Sequence, residues 1–243
     1  MKVATVSVLH GLQNVQIHDG GSGAILKILR GHSDNVICVT FSHSGMLVAS
    51  ASIDMTVRIW YSDTGDLVRK LEGHTGWIRT VAFCPGDDEI ISGSDDGTIR
   101  VWHCLTGSTK RVLMSGFSGT WTLAVSDNGK LLAAASDNWN IQLWNIKAAI
   151  AEGRVFKGHT GTVRCMAFTH DAVSLISGSE DSTIRIWDVA TGAAQVLVGH
   201  KDWVTWVGLS SLEMKLVSAS RDCKIKVWNF VRLRSKLPIE PTR

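Results

Sequence analysis

Gly158–Asp188 reads GHTGTVRCMAFTHDAVSLISGSEDSTIRIWD. It opens on Gly-His, closes on Trp-Asp, and holds three runs of apolar and β-branched residues separated by polar turns. Runs of that length bounded by Gly, Ser and Asp read as β-strands. The rest of the chain is made of looser copies of this unit. Trp60, Trp102, Trp144, Trp187 and Trp228 stand 42, 42, 43 and 41 residues apart. The copies open on Gly31, Gly73, Gly116, Gly158 and Gly199. His32, His74, His159 or His200 follows that glycine in every copy but the third, which has Phe117.

A period of about 40–45 residues with a GH…WD pattern marks a four-stranded propeller blade. The chain resembles the WD-repeat β-propeller family over nearly its whole length, because several slots recur in register. The resemblance implies an all-β propeller formed as a single domain over residues 1–243. It would consist of a partial blade at 1–29 and full repeats at about 31–71, 73–114, 116–156, 158–198 and 199–243. The near-identical segments TIRVW and TIRIW also resemble, more loosely, the repeat arrays of fungal NACHT-type receptors.

In the second unit the sequence predicts strands near Val36–Phe41, Leu47–Ala51, Thr56–Trp60 and Leu67–Leu71. The third unit spans Ile78–Leu113 and the fifth Val163–Val198; the fourth, near Thr120–Phe156, diverges most. Helical periodicity is weak and confined to Ile146–Glu152, which reads as a longer turn. Residues 3–29 align with the back part of a repeat, with His18 in the tryptophan slot and Gly23 in the turn slot of Gly65, Gly107 and Gly192. Gly20–Gly23 lacks the GK[ST] ending of a phosphate loop, so it reads as a turn. A fourth strand for the last unit can come only from Val231–Ile239, where Pro238 tolerates an outer edge. Counted this way, one innermost strand is unfilled. The ring is then expected to be open or imperfect there, and to be completed by a longer chain, a strand supplied by a partner, or self-association through the edge.

Hydrophobic residues make up 44% of the chain, ample for a core, and the formal charge is +3. The charge is uneven: Lys215–Arg243 holds eight basic and two acidic residues, +6, leaving −3 elsewhere. A basic end of this kind discourages edge-to-edge aggregation, and is the alternative place for a nucleic-acid or acidic partner. Cys38, Cys84, Cys104, Cys165 and Cys223 are odd in number and lack CxxC spacing, which suits a reduced, intracellular protein, cytoplasmic or nuclear. The N-terminus is too short and polar for a signal peptide, and no apolar run has membrane-spanning length.

The resemblance also implies a hydrogen-bonded polar set in each repeat. The matching residues are His32, Ser52, Asp54 and Trp60; His74, Ser94, Asp96 and Trp102; His159, Ser179, Asp181 and Trp187; and His200, Ser220, Asp222 and Trp228. The fourth repeat keeps Ser136 and Trp144 but has Phe117 and Asn138, and the partial unit has His10, Leu12 and His18 in the serine, aspartate and tryptophan slots. Ser, His and Asp together suggest a catalytic triad, but a nucleophile needs one exposed, activated site with an oxyanion hole. A set repeated in four units, each time tied to a tryptophan, reads as a structural clamp. One histidine per repeat gives no metal-ligand spacing. No enzyme activity, cofactor or metal is therefore expected.

Function then falls to the surface. In the family, the turn that leads into each innermost strand and the turn after the second strand share a rim. Here those turns carry Trp77, Arg79, Asp95, Asp137, Trp139, Arg164, Glu180, Trp203 and Arg221. Aromatic and arginine anchors are typical of binding hot spots. The expectation is one patch at Trp77, Arg79, Asp95 and Trp139 and another at Trp203 and Arg221. The function expected is a non-catalytic protein–protein interaction scaffold with protein or peptide partners and no membrane. The alternatives are ligand or RNA recognition through the basic C-terminal blade or central channel, and the sensor fragment of a larger receptor.

Overall fold

The computed structural model describes residues 1–9, 12–114, 118–148, 153–210 and 215–229. Every regular element among them is a β-strand. The strands form six antiparallel sheets of three or four strands, joined as meanders in chain order. This is the all-β organisation of WD-repeat propeller blades. The expected outer strand within Val231–Ile239 lies outside the described residues. The chain gathers into two compact units, Met1–Trp121 and Thr122–Arg243.

The first unit holds three sheets. The first contains β1 (Lys2–Leu9), β2 (Leu12–Asp19) and β3 (Ile25–Leu29). The second contains β4 (Val36–Phe41), β5 (Leu47–Ser52), β6 (Val57–Tyr61) and β7 (Leu67–Leu71). The third contains β8 (Ile78–Phe83), β9 (Glu89–Ser94), β10 (Thr98–His103) and β11 (Thr109–Met114). Strand alternation sends successive side chains to opposite faces, so a sheet apolar on both faces packs on two neighbours. Val15, Ile17 and Leu29 of the first sheet bury against Val36, Val48 and Trp60 of the second. The other face of the second, with Ala49, Ala51, Val57 and Ile59, buries against Ile78, Val81, Ile90 and Trp102 of the third.

The second unit repeats the plan. Its sheets are β12 (Thr122–Val125), β13 (Leu131–Ala135), β14 (Ile141–Asn145) and β15 (Arg154–Phe156); then β16 (Val163–Phe168), β17 (Ser174–Ser179), β18 (Thr183–Asp188) and β19 (Ala194–Val198); then β20 (Val204–Ser210), β21 (Lys215–Ser220) and β22 (Ile225–Asn229). Ala133, Ala135, Ile141 and Leu143 pack on Val163, Leu175 and Trp187. Ile176, Ile184 and Ile186 pack on Val204, Val207, Leu216 and Trp228.

Two local features position the surface residues. In β4, β8, β16 and β20 the register with the next strand shifts across Ile37, Arg79, Arg164 and Thr205 respectively. Each is an extra residue on its strand, a bulge that re-aims the side chain. The turns at either end of the hairpin are also tied together. Ile53, Asp95, Glu180 and Arg221 donate their N–H groups to the carbonyls of Asn35, Trp77, Thr162 and Trp203 at 2.9–3.0 Å.

Candidate functional site

Each clamp begins at its tryptophan. An indole N–H only donates and a carboxylate only accepts, so these ends set the direction of the chain between them. Trp60, Trp102, Trp187 and Trp228 donate to the hydroxyls of Ser50, Ser92, Ser177 and Ser218 at 2.8–3.0 Å. Those hydroxyls donate to Nε2 of His32, His74, His159 and His200 at 2.7–2.8 Å. Nδ1 of each histidine donates to Asp54, Asp96, Asp181 or Asp222 at 2.7–2.9 Å.

The serines are a correction. Ser52, Ser94, Ser179 and Ser220 are not in the relay; the serine two residues earlier is. Trp60 faces Val48 across the hairpin and Ser50 faces Arg58, so Ser50 is one same-face step from the indole. Ser52 lies four residues from Val48, about 13 Å along the strand, beyond an indole's reach. It ties turns instead, donating to the Asn35 carbonyl at 2.8 Å and accepting from the Asp54 N–H at 3.1 Å. Ser179 and Ser220 do the same with the carbonyls of Gly161 and Asp202, and Ser94 accepts from the Asp96 N–H.

Burial works against the charge on the clamp aspartates, but their hydrogen bonds outweigh it. For Asp54 these come from His32, Thr56 and the Ser33 N–H, and hold the carboxyl well below its usual range. Asp181 and Asp222 are lowered in the same way, and Asp96 is held at about 2. Burial pushes the His74 ring below its ordinary value although Asp96 pulls the other way. The relay serine donates a hydrogen bond to histidine and accepts one from the indole, so its hydroxyl is committed at both ends.

The fourth repeat departs further than its sequence slots suggest. Ala134 faces Gln142 where Ser50 faces Arg58, so the relay hydroxyl itself is absent. Ser136 donates to Asp137 at 2.7 Å. Phe117 lies outside the described residues.

The bulges and tied turns build two clusters, one in each unit. In the first, the bulge turns Arg79 toward Asp95, with Nε–Oδ1 and Nε–Oδ2 both 3.0 Å and Nη2–Oδ2 2.7 Å. The same guanidinium lies 4.8 Å from the Trp77 ring centre and 4.9 Å from that of Trp121. Trp77 nevertheless stays 46% exposed. In the second unit, Arg164 Nε donates to Glu180 at 2.8 Å, and the guanidinium lies 5.2 Å from the Trp203 ring centre. Arg221 lies 3.9 Å from the same ring. Trp139, also in the second unit, is 48% exposed at φ 66°.

Trp121 was missed from the sequence. Thr122 faces Ala135 as Cys38 faces Ala51 and Thr80 faces Gly93, so Trp121 stands in the slot of Ile37, Arg79, Arg164 and Thr205. The available signal was spacing: Gly116 precedes its tryptophan by 28 residues where the other copies have 29, so a count back from Trp144 reaches Trp121 and a count from Gly116 overshoots it. Among the described residues no group of His, Cys, Asp and Glu is placed to hold a metal ion, and no helix is long and apolar enough to cross a membrane.

Meander sheets clamped by Trp–Ser–His–Asp relays define the chain as a WD-repeat β-propeller. It matches the family described as IFT122 first beta-propeller over residues 6–235 and belongs to that family. The following relatives each align over about one repeat. A stretch of 37 residues is 51% identical to WD repeat-containing protein 18 of Homo sapiens, covering 15% of this chain and 9% of that protein. Over 44 residues the chain is 52% identical to the pre-mRNA-splicing factor PRP46 of Eremothecium gossypii, covering 18% and 10%. Over 41 residues it is 44% identical to the ribosome biogenesis protein BOP1 homolog of Drosophila erecta, covering 17% and 5%. The matches thus span a tenth or less of these curated relatives.

Proposed function

We propose that the chain is a non-catalytic scaffold that binds proteins or peptides through the turns carrying Trp77, Arg79, Asp95, Asp137, Trp139, Arg164, Glu180, Trp203 and Arg221. The observation that carries this reading is the state of Trp77. Its ring is 46% exposed, yet it rests on an arginine held by both oxygens of Asp95. A large aromatic surface is thus fixed before any partner arrives, which removes much of the ordering cost of binding. The clamp serines and histidines are spent on one another, which supports a structural role for them. The names of the relatives, a splicing factor and a ribosome biogenesis protein, support work inside multi-protein assemblies in the cytoplasm or nucleus. Five free cysteines suit a reducing compartment.

The test is quantitative co-purification of partners by the full chain and by Trp77→Ala, with melting temperatures measured in parallel. Loss of about 2 kcal/mol or more of partner affinity with little change in melting temperature is expected. A large fall in melting temperature with unaltered partner binding would make Trp77 a packing residue and end this reading.

A further inference from the structure

We propose that the turns carrying Trp203 and Arg221 form a docking site for an acidic peptide, with Arg221 receiving an aspartate or glutamate carboxylate. This rests on the scaffold reading and names the partner chemistry of one of its clusters. The two turns are held together because the Arg221 N–H donates to the Trp203 carbonyl at 2.9 Å. The guanidinium then lies on the indole, 3.9 Å from its centre. Stacking fixes the plane of the guanidinium and leaves its N–H edge as the part still able to bind.

The protein itself shows what such an arginine pairs with. Arg79, beside Trp77, is closed by Asp95; Arg164, beside Trp203, is closed by Glu180. In both pairs the acid comes from the residue that precedes the clamp aspartate. In the last repeat that slot is occupied by Arg221, while Thr205 takes the slot of Arg79 and Arg164. The arginine has moved to the acid's place, and no acid has moved to meet it. The nearby carboxylates are engaged elsewhere. Asp202 accepts from the Trp203 N–H at 2.7 Å, Asp222 is bound by His200 and the Lys201 N–H, and Glu180 holds Arg164. Among the described residues the Arg221 guanidinium has no hydrogen bond or ion pair; it lies on the Trp203 ring. Lys201 and Lys224, both exposed, stand in the same two turns and add positive charge.

A planar fork on an aromatic shelf fits a carboxylate by two parallel hydrogen bonds, the type of contact Arg79 already makes with Asp95. Arg221 is exposed, so a free acid would find little enclosure. A peptide can add contacts along both turns.

Fluorescence anisotropy with the full chain tests this. The probes are a labelled peptide rich in Asp and Glu, its Asn/Gln counterpart, a serine-phosphorylated neutral peptide, a Lys-rich peptide and a labelled single-stranded RNA. The acidic peptide is expected to bind and its amide counterpart not to. Arg221→Ala should weaken binding by about tenfold or more, and Arg221→Lys should restore part of it, because lysine keeps the charge but not the fork. Arg221→Glu should reject the acidic peptide and gain the Lys-rich one; this exchange cannot be produced by misfolding. Equal binding of acidic and amide peptides, unchanged affinity in Arg221→Ala, or binding of only the phosphopeptide or RNA would overturn the proposal. If Trp77→Ala loses partners while no acidic peptide binds, this assignment fails and the scaffold reading stands. If the acidic peptide binds through Arg221 while partner capture ignores Trp77, the Trp77 reading fails and this one stands.

Discussion

The guanidinium of Arg79 lies 4.9 Å from the ring centre of Trp121, a contact made by a residue at the very end of the first compact unit. With Trp77 at 4.8 Å and Asp95 hydrogen-bonded, three side chains fix one arginine. Trp121→Ala should therefore weaken partner binding by about 0.5–2 kcal/mol, the worth of a cation–π contact. The loss should be non-additive with Arg79→Ala, since both act through the same cluster. A calorimetric double-mutant cycle measures this; strictly additive losses would uncouple Trp121 from the site.

The relay serine and its neighbour should differ on mutation. Ser92→Ala leaves the Trp102 N–H and the His74 Nε2 without their shared hydroxyl, both buried. Leaving such a group unpaired costs about 1–3 kcal/mol. Ser94→Ala removes a turn tie and should cost roughly 1 kcal/mol or less. Urea titration of the two variants decides; equal losses would mean that the relay adds nothing beyond an ordinary hydrogen bond.

The fourth repeat should be the easiest full repeat to open. It has Ala134 for the relay serine, Asn138 for the aspartate and Phe117 for the histidine. Amides in Leu131–Asn145 should exchange faster than those in Ser174–Asp188, at an opening energy below that of global unfolding. Repair requires Phe117→His, Ala134→Ser and Asn138→Asp together, because a partial relay leaves a polar group unpaired. Equal protection of the two segments would contradict the prediction.

Acid should destabilise the fold in two stages. The folded His74 pKa lies below its ordinary 6.5, so below that pH the unfolded chain binds a proton that the native chain refuses. Stability rises with pH, and so falls on acidification, wherever the unfolded state holds more protons. The aspartate stage has the same sign: between 3.8 and about 2 the unfolded chain protonates Asp96 while the native chain keeps it charged. Denaturant midpoints should decline gently below about pH 6.5 and more steeply below about pH 4. A midpoint that holds constant or rises on acidification would refute this.

The strands were legible because β-branched runs and Gly/Asp turns recur with one period. Leu67–Leu71 and Val163–Phe168 begin and end where composition changes. Choosing the clamp serine was harder. Ser50 and Ser52 are both serines on one face of one strand, and only the register with Trp60 separates them. The bulges at Arg79 and Arg164 left no mark in sequence, because an extra residue is defined by the partner strand. Arg221 and Trp203 could be named as surface residues, but that they touch follows from the backbone bond between their turns.

Trp139 occupies a left-handed backbone position, φ 66°, as do Met55, Ser182 and Cys223 at 61–66°, with Gly97 at 77° in the third repeat. A non-glycine residue held there costs about 1–2 kcal/mol, and glycine returns roughly half of that after its own entropy loss. Trp139→Gly should raise the melting temperature slightly, despite deleting a large ring. A marked fall would show that the ring packs. In the four repeats with a side chain here, the shared left-handed φ starts Met55, Trp139, Ser182 and Cys223 from similar backbone geometry. Such a position works like a socket: the side chain plugged into it can be exchanged between repeats without altering what lies beneath. Chains sharing this scaffold could therefore present different surfaces by changing five letters.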